Sequence, residues 1–176
     1  MTILPYKGMF KITRKLYEKT TKLFSQNKYF KLTLAIIYKF LPLVLFVGYP
    51  ILILYVFFTQ RSEIFKVVLV PLFVLIFVSV FRKLLNFKRP YEVYGIPSVF
   101  NKQTKGESFP SRHTASAFII AMTFLYIDFD LGVTALSMAI LIGLSRVLAG
   151  AHFIRDVLTG MAISILAGSI FLFIIN

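Results

Sequence analysis

The chain contains no cysteine, which removes disulfides and thiolate metal sites from consideration. It is also poor in acid: seven Asp and Glu stand against twenty Lys and Arg. A Mg²⁺ ion wants two or more carboxylates in one place. Near the most polar stretches only Glu92, Glu107 and Asp156 are on offer. Histidine is limited to His113 and His152, so any imidazole chemistry uses one or both. No small-residue cleavage site follows the first apolar run, so no cleavable signal peptide is expected. There is no internal repeat and no low-complexity tract.

Apolar residues, by contrast, are abundant. They make up 58% of 176 residues, and the mean hydropathy is +0.81. One soluble core of this size cannot hide so much apolar surface, so the class is integral membrane and all-α. Five hydrophobic spans are expected, at about 34–58, 64–85, 111–127, 131–148 and 153–175. The connection 86–110 holds Pro90, Gly95, Pro97, Gly106 and Pro110, and reads as loop or broken helix.

Eight Lys and Arg fall within residues 1–31, against Glu18 alone. Phe10, Tyr17 and Phe24 recur every seven residues, as do Met9, Leu16, Leu23 and Phe30, with lysines between. This period predicts an amphipathic helix lying on anionic lipid, and a solvated basic tail is the plainer alternative. The local charge points to a membrane surface, not to nucleic acid. The expected organisation is a basic amphipathic segment, 1–31, and a membrane domain, 32–176.

Polar residues interrupt the apolar pattern in a few places. The stretch SRVLAGAHFIRD, 145–156, separates fourteen uncharged residues before it from twenty after it. When the five spans are traced up and down, Arg82, Lys83, Lys88 and Arg89 fall on one membrane face. Ser111, Arg112, His113, Arg146, His152 and Asp156 fall on the same face. Arg61, Glu63, Lys66, Asp128 and Asp130 fall on the other. Ionisable groups beside membrane helices are costly and tend to face a pocket. Arginines clamp phosphate, histidines serve as nucleophile or general acid, and Asp156 stands one helical turn beyond His152. Taken singly, each group has an ordinary reading: Lys88, Arg89, Arg112 and Arg155 as interfacial anchors, the histidines as satisfied structural residues. Both histidines and the basic cluster on one face point instead to phosphoryl transfer without a metal.

Three of these stretches together resemble the signatures of the type 2 phosphatidic acid phosphatase superfamily. Ser145-Arg146-x5-His152-x3-Asp156 matches the third signature. Pro110-Ser111-Arg112-His113 is similar to the second, usually Pro-Ser-Gly-His. Arg89-Pro90 resembles the end of the first, Lys-x6-Arg-Pro. The resemblance covers about 64–175. It implies His152 as nucleophile through a phosphohistidine, Asp156 as its orienting group and His113 as the acid for the leaving oxygen. It implies Arg82, Arg89, Ser111 and Arg146 as phosphate-binding residues, with Lys83, Lys88 and Arg112 as candidate substrate contacts. No cofactor and no metal are expected.

The chain departs from the family pattern in three places. Position 82 is arginine, Arg112 replaces glycine, and five spans plus a basic helix replace six spans. If the second span stays helical to about Lys88, a seven-residue step puts Arg82 and Arg89 on one face and turns Lys83 away. The implied substrate is a lipid phosphate or pyrophosphate: undecaprenyl pyrophosphate, phosphatidylglycerophosphate, phosphatidate or a lipid A phosphate. The polyprenyl pyrophosphate ranks first. A phosphotransferase or a non-catalytic lipid or anion carrier are the alternatives. The expected setting is a bacterial cytoplasmic membrane. The basic N-terminus argues for a cytoplasmic site by the positive-inside rule, while the resemblance argues for an extracytoplasmic one, which is the expectation adopted.

Overall fold

The computed structural model describes the backbone of residues 7–175 and the side chains of residues 13–175. The side chains of Met9 and Phe10, part of the expected apolar stripe, lie outside the described residues. Among the described residues the chain is helical without strands. The helices are α1 (Lys7–Gln26), α2 (Lys28–Thr59), α3 (Ile64–Leu85), α4 (Pro90–Tyr94), α5 (Arg112–Ile127), α6 (Phe129–Leu148) and α7 (Ile154–Ile174).

Among the described residues four helical runs are long and apolar enough to cross a membrane: α2, the run Arg61–Tyr94 that contains α3, α6 and α7. The remaining expected span, α5, has 16 residues and takes the centre of the bundle. Every residue from Thr114 to Thr123 is buried, and α2, α3, α6 and α7 pack around it. Within a bilayer, helices gain nothing from hiding apolar surface against one another, so close backbone approach has to drive association. Small residues make that approach here. A Cβ at Gly160 of α7 would come 2.7 Å from the Ser111 carbonyl oxygen. The Ser164 hydroxyl donates to the Ala115 carbonyl at 2.8 Å. Outward-facing large apolar side chains such as Phe46, Phe65 and Leu166 are left exposed, as contact with lipid tails requires.

Prolines inside the spans free carbonyls that lipid cannot satisfy. Pro71 has no N–H for the Val67 carbonyl four residues back, and that carbonyl accepts from the Tyr49 hydroxyl at 2.8 Å. Pro42 likewise has none for the Tyr38 carbonyl, which accepts from Arg146 Nη2 at 3.0 Å. The second case ties α6 to α2 beside the polar cluster.

Helix α1 docks across the polar end of the bundle. Tyr17 donates to the Ile96 carbonyl at 3.1 Å, and Tyr94 donates to the Thr13 hydroxyl at 3.0 Å. Phe24 packs on a cluster that includes Leu34, Tyr38 and Val99. The heptad stripe is therefore divided. Tyr17 and Phe24 face protein, whereas Leu16 and Leu23 remain exposed. Asn27 ends the segment by capping α2, its side-chain oxygen accepting from Tyr29 N–H at 2.9 Å.

Candidate active site

Helix α3 stops at Leu85, where Asn86 adopts a left-handed φ of 42°. The helix does not continue to Lys88, so Arg82 and Arg89 are not neighbours on one helical face. Pro90 forces extended geometry on the residue before it, and Arg89 has φ −83° and ψ 162° at the start of α4. The two arginines meet by another route, since both donate to the Glu107 carbonyl. Arg89 Nε also donates to the Gly106 carbonyl at 2.9 Å. The Glu92 carboxylate fixes this arrangement by accepting from the N–H groups of Arg89 (2.8 Å) and Gly106 (2.9 Å).

The short link between α6 and α7 carries His152. Its N–H bonds to the Arg146 carbonyl at 3.2 Å, which closes the end of α6. The imidazole Nδ1 lies 2.9 Å from the Ser108 carbonyl oxygen. A carbonyl can only accept, so Nδ1 carries the hydrogen and Nε2 keeps its lone pair. Arg89 Nη1 stands 3.5 Å from that Nε2. Burial holds the ring down to about 4, with the Asp156 carboxylate opposing and the Arg89 and Arg82 charges assisting. The imidazole is therefore neutral at physiological pH.

Asp156 does not hold the ring directly. Its Oδ2 is 3.6 Å from Nδ1 and accepts instead from the Ser108 hydroxyl at 2.5 Å and from Phe153 N–H at 3.0 Å. Ser108 thus bridges the two residues, its carbonyl on the histidine and its hydroxyl on the aspartate. The Asp156 carbonyl accepts from Ser111 N–H at 2.8 Å, joining the second and third signature segments.

A cavity of about 160 Å³ is lined by Arg82, Arg89, Lys102, Thr104, Glu107, Arg112, His113 and His152. Both histidines and three arginines of the expected set therefore share one space. Ser111 is not in its lining. It is fully buried, and its hydroxyl accepts from Thr114 at 3.0 Å. Arg146 is buried on the far side of His113, its guanidinium 3.8 Å from the Tyr38 ring centre. It lines a neighbouring groove of about 420 Å³ with Tyr38, Lys39, Pro42, Leu43, Phe46, Lys102 and His113. Lys83 and Lys88 are exposed and line neither space. Among the described residues no three His, Asp or Glu side chains converge as metal ligands would.

Ser108, Lys102 and Tyr38 are parts of this site that sequence reasoning passed over. Ser108 stands two residues before Pro110, so its nearness to the second signature was the available signal. Nothing in spacing singles out Tyr38 or Lys102, because tertiary packing alone brings them in.

A family profile described as the PAP2 superfamily matches residues 63–176. The chain belongs to the PAP2 superfamily. Membership places it among membrane lipid phosphatases. The fold is similar to that of Aquifex aeolicus LpxE, with a TM-score of 0.74 and 22% identity over 98% of this chain and 99% of the other. It is also similar to a transmembrane PAP2 type phosphatidylglycerolphosphate phosphatase from Bacillus subtilis. There the TM-score is 0.65, with 18% identity over 92% of this chain and 85% of the other. No curated protein matches the sequence. The LpxE comparison covers 98% of this chain, so the likeness of fold extends over α1, which lies outside the residues matched by the family profile.

Proposed function

We propose that this PAP2 protein hydrolyses a lipid phosphate or pyrophosphate through a phosphohistidine formed on His152. The observation that carries the reading is the His152 imidazole. It is buried and neutral, and the Ser108 carbonyl fixes its tautomer so that Nε2 keeps its lone pair and faces Arg89 Nη1 at 3.5 Å. Nε2 attacks phosphorus, and Arg82 and Arg89 hold phosphate oxygens as charge shifts onto them. The bond to the leaving oxygen breaks, and that oxygen takes a proton from His113. The negative phosphate is what lets His113 carry that proton among so many cations. A water molecule then attacks the phosphohistidine and returns a proton to His113. The N–P bond breaks, and inorganic phosphate and neutral His152 remain. Asp156 acts through Ser108 and the backbone, as a positioning residue.

Phosphatidate, phosphatidylglycerophosphate, lipid A phosphates and undecaprenyl pyrophosphate are the substrates to assay with purified protein. Phosphate release from at least one of them is expected, and release from none would overturn the reading. Helix α1, with exposed Leu16 and Leu23 among its lysines, would rest on anionic headgroups. The site is proposed to open to the extracytoplasmic side of a bacterial membrane, the side that the family resemblance favours. The positive-inside rule favours the other. Because α1 docks on the site end, a single label answers both: Gln103→Cys, exposed in the site loop. Its reaction with an impermeant maleimide in intact cells is expected, and protection would reverse the orientation.

A further inference from the structure

Arg89 and His152 reach the cavity from different segments, and their direct contacts are long. Arg89 Nη1 is 3.5 Å from His152 Nε2 and 3.4 Å from the Ala151 carbonyl oxygen. Attack by one residue on a phosphate held by the other requires the two to stand in register, and a misplacement of about 1 Å can cost roughly a hundredfold in rate. Further contacts have to hold the two segments together. Helix α1 supplies a set of them from outside the residues matched by the family profile.

Tyr17 stands at the junction. Its hydroxyl lies 3.1 Å from the Ile96 carbonyl oxygen, just past the end of α4, and 3.4 Å from the Gly150 carbonyl oxygen, just before His152. A phenol has a single hydrogen to donate, so one O–H is shared between the arm that carries Arg89 and the link that carries His152. Burial pushes the Tyr17 phenol above its usual range, with Tyr91 and Tyr94 assisting, so the hydrogen stays on at any working pH. The rings repeat the connection. Tyr94, the last residue of α4, packs on Tyr17 with centroids 5.2 Å apart and on Phe153 at 5.9 Å. Phe153 directly follows His152, and its N–H donates to Asp156. Tyr94 also donates to the Thr13 hydroxyl at 3.0 Å, a second tie to α1. A phenylalanine at position 17 would dock α1 through its ring just as well. Only the hydroxyl spans the two segments.

We propose that Tyr17 is a positioning residue for phosphoryl transfer, and that α1 acts through it as a clamp keeping Arg89 in line with His152. Tyr17 touches neither the phosphate nor the reacting atoms. It fixes the spacing between the first-signature arm and the third-signature link, so that a phosphate held by Arg89 presents its phosphorus to Nε2. Loss of the hydroxyl leaves the ring packing in place and lets the two carbonyls separate. The cost falls on the chemical step more than on substrate capture. A shifted arginine still attracts a phosphate, whereas attack by Nε2 needs the correct line. The assignment rests on the phosphatase reading above and adds a residue from outside the family core.

Tyr17→Phe tests the clamp, because it removes the hydroxyl alone. Thr21→Val is the matched control. Thr21 is buried in the same docking face, and its hydroxyl donates to the Tyr17 and Glu18 carbonyls within α1. For each protein in detergent, kcat and KM are measured on the lipid phosphate of the panel that the wild type hydrolyses fastest, and vanadate affinity is measured by calorimetry. Vanadate mimics the five-coordinate phosphoryl state, and its affinity is a property of each intact site, so a smaller folded fraction leaves it unchanged. Tyr17→Phe is expected to lower kcat by about tenfold, to keep KM within about twofold, and to weaken vanadate by about the same factor as kcat. Thr21→Val is expected to match the wild type in all three. Wild-type kcat and vanadate affinity in Tyr17→Phe would overturn the clamp and leave the phosphatase reading standing. So would a loss of kcat without a loss of vanadate affinity, or equal losses in Thr21→Val. Phosphate release from no lipid of the panel would overturn the phosphatase reading, and the vanadate affinities would then decide the clamp by themselves. A wild type that also fails to bind vanadate would overturn both.

Discussion

Ser108 shows how the catalytic histidine is set up at the scale of single residues. One residue supplies the acceptor for Nδ1 and the donor for Asp156, so the imidazole tautomer does not depend on the carboxylate alone. Burial and the neighbouring arginines keep His152 neutral down to about 4, below the usual 6.5. Between those values the unfolded chain binds more protons than the folded one. Stability is therefore full above pH 6.5 and declines as pH falls toward 4. In a His113→Asn variant, His152 is the only imidazole left, and its NMR titration is expected near 4. A midpoint near 6.5 would contradict the buried, cation-flanked environment. Arg82 and Lys83 give the second prediction at this scale. Arg82 is buried and lines the cavity, whereas Lys83 is exposed. Arg82→Ala is expected to cost about tenfold or more in turnover, which needs only about 1.4 kcal/mol. Lys83→Ala should cost at most a few-fold. Assaying both on one lipid substrate checks the pair, and a larger loss at Lys83 would reverse the assignment.

At the scale of elements, the docking of α1 requires a residue without a side chain at one backbone position. Gly150 has φ +71° and lies two residues before His152. A Cβ there would stand 2.7 Å from the Tyr17 ring and 3.0 Å from Thr21. Gly150→Ala is therefore expected to destabilise the protein by about 1–3 kcal/mol through left-handed strain and the clash with α1. Thermal unfolding in detergent measures it. A Tyr17→Ala background should shrink the loss without abolishing it, because the φ strain remains. A Gly150→Ala protein as stable as its parent would argue against the docked α1. The fate of α1 also shows where sequence reading stopped. Its heptad stripe was legible as an apolar period, but a period does not say which partner covers it. Tyr17 and Phe24 found protein, and Leu16 and Leu23 did not. The five helical runs were legible because each is a sustained apolar run bounded by charge, proline or glycine, although among the described residues only four are long and apolar enough to cross a membrane and the fifth, α5, is a 16-residue central helix. The end of α3 at Leu85 matches the expected span, but the left-handed turn at Asn86 leaves no mark in hydropathy, and it breaks the helical continuation to Lys88 on which the shared face of Arg82 and Arg89 was conditional.

Across the whole molecule, the polar groups of three distant segments meet at one end of a helical bundle. That convergence could be anticipated by tracing spans up and down, and the resemblance supplied the roles. The division of labour within it could not be anticipated. Arg146 stands on the groove side of His113 because Pro42 exposes the Tyr38 carbonyl to it, a consequence of packing between α2 and α6. Ser111 is withdrawn beneath the cavity by its bonds to Asp156 and Thr114. What unites the site is a single neutral imidazole whose Nε2 lone pair faces the arginines. Phosphate release by purified wild-type and His152→Ala proteins, measured on the same lipid phosphate in excess EDTA, tests that claim most directly. The wild type is expected to turn over with chelator present. The folded His152→Ala variant is expected to fall by roughly 10³-fold or more, as a unit that has lost its nucleophile does. Comparable turnover by a well-folded His152→Ala protein, or wild-type activity lost to EDTA and restored by Mg²⁺, would contradict the account.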